Sequence, residues 1–270
     1  MRVVVTGGRG MLGRHVVELL RRSGHEALAA GRRGPLVMDV RKDAEVEAAL
    51  EGVEAVVHCA SNPLRRNVRE VEVEGTARVV AAAQRQGVGH LLYVSIVGVD
   101  RVPRPYFRYK LHAEKVVEHG RVPWTILRAT QLFPFMEMLL TSAPVLIAPR
   151  GFLVQPVAGE EVAQRIARAL GEGPMERRLE YGGPEVRELS ELARTLRATR
   201  RLRRPLLRPW LPGQLAAAVR AGGAPVPGLR AGCDYLGGVA AARTSASMTR
   251  VGPPTTGIAE QRGGPLGSLW

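Results

Sequence analysis

The chain has 270 residues, 45% of them apolar, enough to bury a sizeable core, and no apolar run approaches the ~20 residues that a membrane helix needs. The net charge is +14, yet lysine supplies only Lys42, Lys110 and Lys115 of the 39 basic residues; an excess so dominated by arginine reads as genome bias, while still favouring acidic ligands such as phosphates. Two cysteines, Cys59 and Cys233, imply no disulfide framework and fit a reducing cytoplasm.

In chain order, Arg2 to Thr6 is a short apolar run that stops at glycines, so it reads as a buried strand and not as a secretory signal. It runs into Thr6-Gly7-Gly8-Arg9-Gly10-Met11-Leu12-Gly13, a GxxGxxG loop. Leu12, Val16, Leu19 and Leu20 follow at the spacing of a one-sided helix. A glycine loop between strand and helix reads as a dinucleotide cradle, the alternative being a glycine-rich turn in some other doubly wound protein. Gly7 permits the tight turn, Gly10 lets backbone amides at Gly10, Met11 and Leu12 approach a pyrophosphate, and Gly13 allows the helix to pack closely. Further strands are expected at Glu26 to Ala30, Leu36 to Met38, Ala55 to His58, His90 to Ser95 and Trp124 to Arg128, alternating with helices. One helix, about Asn67 to Gln86, carries Val68, Val71, Val79, Val80 and Ala83 on a stripe, with Gly75 in its middle.

The second strand bears on the choice of cofactor. An NAD site usually has an acid about 20 residues past the loop. Here the strand ends Ala30-Gly31-Arg32-Arg33, so Arg32 and Arg33, with Arg9, are expected to clamp the 2′-phosphate of NADP(H) in preference to NAD(H). The alternative is that they are ordinary surface arginines. Asp39 and Val40, after the third strand, are expected at the adenine edge.

After Arg128 the rhythm changes. Short strands are expected within Phe152 to Val157 and Arg178 to Tyr181, and helices at Glu160 to Leu170 and Glu188 to Thr199. The fold class is α/β, a Rossmann-type doubly wound parallel sheet with a small C-terminal lobe capping the substrate. Residues 1–232 form the dinucleotide-binding domain, 130–232 contribute the cap, and 233–270 are expected to be a disordered tail poor in large apolar groups. No His/Cys/Asp cluster has metal-ligand spacing. The six arginines between Arg197 and Arg208 read as a solvated helix end and loop, with nucleic-acid binding as the lesser alternative.

Tyr106 and Lys110, spaced i, i+4, share a helix face. An ammonium beside a phenol stabilises the phenolate and brings it nearer the range where it transfers protons to a carbonyl oxygen. The cradle, His58-Cys59-Ala60-Ser61-Asn62, Tyr106-Phe107-Arg108-Tyr109-Lys110, Tyr93 to Asp100 and Trp124 to Gln131 together resemble the short-chain dehydrogenase/reductase superfamily, and within it the atypical, NmrA-like NAD(P)H-binding branch. The resemblance covers about residues 1–230. It implies strand order 3-2-1-4-5-6 and hydride transfer between NADP(H) and a small quinone or carbonyl compound. Tyr106, Lys110 and Ser95 would be catalytic, Lys110 would also hold the nicotinamide ribose, and Ala60 and Ser61 would line the cofactor. His58 would match a cofactor-edge position, although a single histidine at a strand end reads more readily as structural. Arg128, Thr130 and Gln131 would face nicotinamide or substrate. The sequence departs from the family at one point: Ile96 stands where many relatives carry the catalytic serine, and Ser95 matches the residue before it. Some branch members bind the cofactor only as regulators, so a non-catalytic redox sensor is the alternative function.

Overall fold

The computed structural model describes residues 1–63, 67–210, 213 and 235–236. In chain order these form β1 (Arg2–Thr6), α1 (Gly13–Arg22), β2 (Glu26–Gly31), β3 (Leu36–Val37), α2 (Asp43–Ala49) and β4 (Ala55–His58). A π-turn (Glu70–Glu74) then leads into α3 (Gly75–Arg85), β5 (His90–Ile96), α4 (Pro105–Glu118), β6 (Trp124–Ala129) and α5 (Phe133–Thr141). The rest comprises β7 (Leu146–Ile147), β8 (Leu153–Val154), α6 (Gly159–Glu172), β9 (Arg178–Tyr181), β10 (Arg187–Glu188), α7 (Leu189–Thr199), β11 (Leu206–Leu207) and β12 (Tyr235–Leu236).

The main sheet runs β12-β9-β6-β5-β4-β1-β2-β3, parallel throughout except for β12, which pairs antiparallel with β9. The expected order 3-2-1-4-5-6 is present, extended by β9. Val3, Val4 and Val5 are wholly buried, because helices cover both faces of the strand that bears them. Val4, Val56, Leu91, Tyr93 and Ile126 point to the side of α2, α3 and α4, where Val46, Val79, Ala83, Ala113 and Val117 meet them. Val3, Val5, Val57, Leu92, Leu127 and Leu179 point to the other face, against Val16 and Leu20 of α1 and Val162, Ile166 and Ala169 of α6.

The C-terminal segment divides differently from expectation. β9 joins the main sheet beside β6 and α6 packs with α1 in the second core, so neither belongs to a separate cap. Met136 and Leu140 of α5, Leu146, Val154, Leu189 and Ala193 gather into a small third core. The strand expected across Phe152 to Val157 shrinks to Leu153–Val154, paired with β10. The tail expectation lies outside the described residues apart from Tyr235 and Leu236, which are paired. Among the described residues no helix is long and apolar enough to cross a membrane.

The helix expected over 67–86 is interrupted. At the π-turn the amide of Gly75 donates to the carbonyl of Glu70, five residues back, so one extra residue is inserted in the turn. Gly75 is explained by Val40: a Cβ there would lie 2.8 Å from Val40 Cγ2. The extra residue brings Glu72 inward, where 1% of it is exposed.

Placing α6 in the central core has a measurable consequence. Ile166→Ala should cost about 2–5 kcal/mol in urea unfolding, whereas Leu139→Ala, at a side chain 43% exposed, should stay within about 0.5 kcal/mol. A loss below about 1 kcal/mol at Ile166 would show that α6 is peripheral.

Candidate functional site

The site grows from the turn between β1 and α1. Gly7 has φ +62°, and a Cβ on it would lie 2.9 Å from the Ala60 Cα. A Cβ on Gly13 would come within 2.3 Å of the Gly7 carbonyl oxygen, a collision backbone atoms cannot relieve cheaply. The amide of Gly10 donates to that same carbonyl at 2.8 Å. No side chain caps α1; the amides of Arg14, His15 and Val16 turn back to the Gly10 and Leu12 carbonyls, so the anion-facing end of the helix is the loop before Arg14. These features fit a dinucleotide pyrophosphate over Gly7, Gly10, Met11, Leu12 and Gly13.

Around this cradle, Arg9 reaches across to the end of β2, its Nη1 3.4 Å from the Arg33 carbonyl oxygen. Arg32 and Arg33 are exposed. An open groove of about 580 Å³ beside Gly8 is lined by Arg9, Arg14, Arg21 and Arg22 with Glu18. Asp39 is less available than expected. Its carboxylate takes the Arg41 backbone amide and the Arg41 guanidinium through Nε and Nη2, with Nη2 2.6 Å from Oδ2, and this guanidinium holds its pKa below the usual carboxylate range. Val40 is committed to packing on Gly75.

The β4 end leads from the cradle to Tyr106. Thr6 Oγ1 contacts His58 Nδ1 at 2.6 Å and accepts the Ala60 amide at 3.1 Å. His58 Nε2 contacts Thr76 Oγ1 at 3.1 Å, so both ring nitrogens are held by hydroxyls. Burial, with the Lys110 charge adding, pushes the His58 pKa down to about 3. His58 is thus a neutral structural link and not a ligand at the cofactor edge. Ser61 Oγ donates to Glu72 Oε1 at 2.6 Å, the Asn62 amide donates to the same oxygen at 2.9 Å, and Ser61 Oγ lies 2.9 Å from the Tyr106 hydroxyl.

Tyr106 and Lys110 lie on α4, facing β5 and the π-turn. Lys110 is buried, donating to the Val94 carbonyl at 2.7 Å, lying 3.4 Å from Glu72 Oε2 and resting 4.3 Å over the Tyr93 ring. These partners are all internal to the protein. The pKa balance at Tyr106 also runs against expectation. Burial pushes the phenol up to about 12; Lys110 pulls it down, but Glu72 adds to the rise. Ser95 is buried and its Oγ has no hydrogen-bond partner, so it is not joined to Tyr106 or Lys110. Strand alternation puts Ser95 on the Tyr93 face and turns Ile96 to the opposite one.

Residues after β6 are engaged elsewhere. Arg128 is gripped by Glu114 at 2.7 and 2.9 Å, with Asp100 at 3.2 Å and Glu180 at 3.5 Å, tying α4, β6 and β9 together. Thr130 Oγ1 accepts the Gly183 amide at 3.2 Å, and Gln131 Oε1 accepts the Gln155 amide at 3.0 Å. These three brace the fold where ligand contacts were expected. In the arginine run, Arg200 pairs with Glu137, Arg208 with Glu188, and Arg204 donates to the Thr141 and Ala143 carbonyls, which are contacts within the third core region. Sequence reasoning missed Glu72. An acid in a run of alternating valines and glutamates looks solvent-facing until the π-turn rotates it inward.

A family model described as NAD(P)H-binding matches residues 7–172. The chain belongs to the NAD(P)H-binding family. It resembles the atypical, NmrA-like short-chain dehydrogenases/reductases. Photosystem II assembly factor Ycf39 of Synechocystis is 28% identical over 52% of this chain and 47% of its own. Divinyl chlorophyllide a 8-vinyl-reductase of Oryza sativa is 28% identical over 67% of this chain and 54% of its own. The chain thus spans about half the length of these two relatives, and 20% of the mycobacterial proteins that it also matches. A short-chain dehydrogenase/reductase superfamily protein from Agrobacterium tumefaciens, solved with bound NAD, superposes with a TM-score of 0.66 at 22% identity, covering 78% of this chain and 86% of the other.

The buried histidines give a pH signature. His90, bonded to Thr125 Oγ1 at 2.9 Å, is pushed down to about 4 by burial, as His58 is to about 3. With folded values below the unfolded ~6.5, the unfolded chain binds more protons, so stability present above pH ~6.5 is lost as pH falls. At pH ~5 each histidine should cost about 2 kcal/mol relative to pH ~7.5. His58→Gln should remove its share from urea midpoints measured at both pH values. A parent midpoint that does not move would contradict this.

Proposed function

We propose that the protein is a cytoplasmic NADP(H)-dependent oxidoreductase that reduces a small quinone or carbonyl compound by hydride transfer. The observation carrying this reading is the Tyr106 hydroxyl, hydrogen-bonded through Ser61 to the strand-end loop whose Ala60 backs the glycine cradle. Residues 1–232 act as one dinucleotide-binding domain in which the α5, β7, β8, β10, α7 and β11 region caps the substrate. The cradle amides hold the pyrophosphate. Arg32, Arg33 and Arg9 bind the 2′-phosphate, Asp39 and Val40 border the adenine, and Ala60 and Ser61 line the inner edge. A bound nicotinamide dinucleotide supplies the hydride. Tyr106 hands a proton to the carbonyl oxygen; Lys110 and Ser95 support it, Lys110 through its charge and Ser95 through a buried hydroxyl open to a new partner.

Two measurements test this. Calorimetry should show NADPH binding at least about tenfold tighter than NADH, since a guanidinium–phosphate pair is charge-assisted and the matching acid is absent. Arg32→Ala should narrow that gap, and equal affinities in the parent would remove the NADP preference. Tyr106→Phe should lower turnover of carbonyl acceptors about 10²–10⁴-fold with NADPH affinity unchanged. Quinones, which can draw protons from water, should lose less. Undiminished carbonyl turnover would take Tyr106 out of the mechanism.

A second reading has its own support. Lys110 is neutralised by Glu72 and the Tyr106 phenol is pushed up to about 12, which suits a site that binds NADP(H) without turning it over. Ycf39, the assembly factor, is consistent with such a role. Tight NADPH binding with no oxidation by any quinone or carbonyl would favour this redox-sensing regulator.

A further inference from the structure

We propose that Glu72 is the terminal proton station for Tyr106, reached through Ser61, which makes Glu72 a positioning residue for the proton-transfer step. The proposal rests on the oxidoreductase reading and deepens it.

The hydrogen bonds have a fixed direction. The Glu72 carboxylate only accepts, and Oε1 takes both the Asn62 amide and the Ser61 hydroxyl. A serine has one hydrogen. With that hydrogen on Glu72, Ser61 Oγ can only accept at its 2.9 Å contact with Tyr106, so the phenol donates. The chain therefore reads Tyr106 O–H to Ser61 O–H to Glu72, and the phenol proton faces Ser61.

This is the state a relay occupies after it has delivered a proton. In reduction, the carbonyl carbon takes a hydride from the reduced dinucleotide and the carbonyl oxygen takes the Tyr106 proton. The Ser61 proton moves to the Tyr106 oxygen, and a proton carried on Glu72 Oε1 moves to Ser61. One O–H bond forms on the product and one is lost at Glu72, while Tyr106 and Ser61 end as they began. The carboxylate left behind faces Lys110, whose Nζ lies 3.4 Å from Oε2. Oxidation runs the same shifts backwards, and the product alcohol's proton ends on Glu72. Lys110 thereby acts on the far end of the relay as well as on the phenol. Turnover in the reductive direction requires Glu72 to be reloaded from solvent, through the half-exposed Ser61 side.

Among the described residues, the charged and titratable groups around Glu72 are Lys110 and Tyr106 from α4, Tyr93 from β5, and His58 from β4 with Cys59 behind it. Glu114 acts on Tyr93 from farther along α4. His58, whose pKa burial pushes down to about 3, stays neutral across the working range. Burial pushes the Cys59 thiol up to about 12.

The test combines a titration on the full chain with kinetics. Ultraviolet tyrosinate absorbance, parent minus Tyr106→Phe, isolates Tyr106. Glu72→Gln should bring its titration down by about one pH unit or more, and Ser61→Ala, which removes the hydroxyl that turns its hydrogen from Glu72 to Tyr106 once the phenol ionises, should push it up. A Tyr106 titration that neither variant moves overturns the relay, whether or not an acceptor is found. Ser61→Ala, at an exposed position, keeps the test open if Glu72→Gln does not fold. With NADPH and 4-nitrobenzaldehyde, Ser61→Ala should lower kcat at least about tenfold with KM within about twofold, Ser61→Thr should restore most of it, and Glu72→Gln should erase the fall in kcat at high pH. If Tyr106→Phe stops turnover while Ser61→Ala has the parent's kcat, the relay is wrong and the oxidoreductase reading stands. If Tyr106→Phe retains full turnover, that reading itself fails.

Discussion

A parallel strand bonded on both sides has no face to give to water, and this constraint governs the molecule. Val3, Val4 and Val5 alternate into two cores, so a helical layer is required above and below β1. The layers come from opposite parts of the chain: α2, α3 and α4 cover one face, and α1 with the late α6 covers the other. Where β1 ends, Ala29 of β2, Ala60 beyond β4 and the start of α1 crowd the same turn. Only glycines fit there, and backbone amides become the surface that a ligand meets. The cradle is thus a by-product of burying β1 completely.

Much of this was legible because periodicity and glycine chemistry are local signals. The limits of β1 and β4 match the apolar runs, and the neighbouring strands differ from expectation by a residue. β9 was visible as a strand, but its place in the sheet was not: it depends on α6 packing with α1, a contact far apart in sequence. The site divides in the same way. Gly7, Gly10 and Gly13 declare themselves through spacing, whereas Glu72, Glu114 and Arg128 carry the charge that normally marks a solvated face. Whether such a residue is buried depends on a partner on another element. Arg128 looked like a ligand contact from its position after β6 and is held by three carboxylates.

Those buried ions shape the chemistry. Breaking a buried pair by removing one partner typically costs about 3–5 kcal/mol, because the remaining charge has no water to turn to. Lys110 and Glu72 therefore hold each other, and an observer at the Tyr106 oxygen sees a nearly neutral pair in place of a lone ammonium. Burial is the largest influence on the phenol, and Glu72 adds to it against Lys110. Tyrosine–lysine spacing establishes neighbours; the acid that packs beneath them decides how much of the lysine's charge is felt.

The π-turn makes chain length itself a chemical variable at this helix. An α-helix advances about 100° per residue, so deleting one residue from Glu70–Glu74 would restore ordinary winding and swing the following side chains by roughly that angle relative to those before. Either α3 would lose its seat against Val40, or Glu72 would leave Lys110 alone among apolar neighbours. Homologous chains that differ by a single residue in this turn would then share a fold yet have different acids, or none, beneath the tyrosine. An aligner would score the event as a one-residue gap in a helix, and the gap would mark a change in the site's proton chemistry.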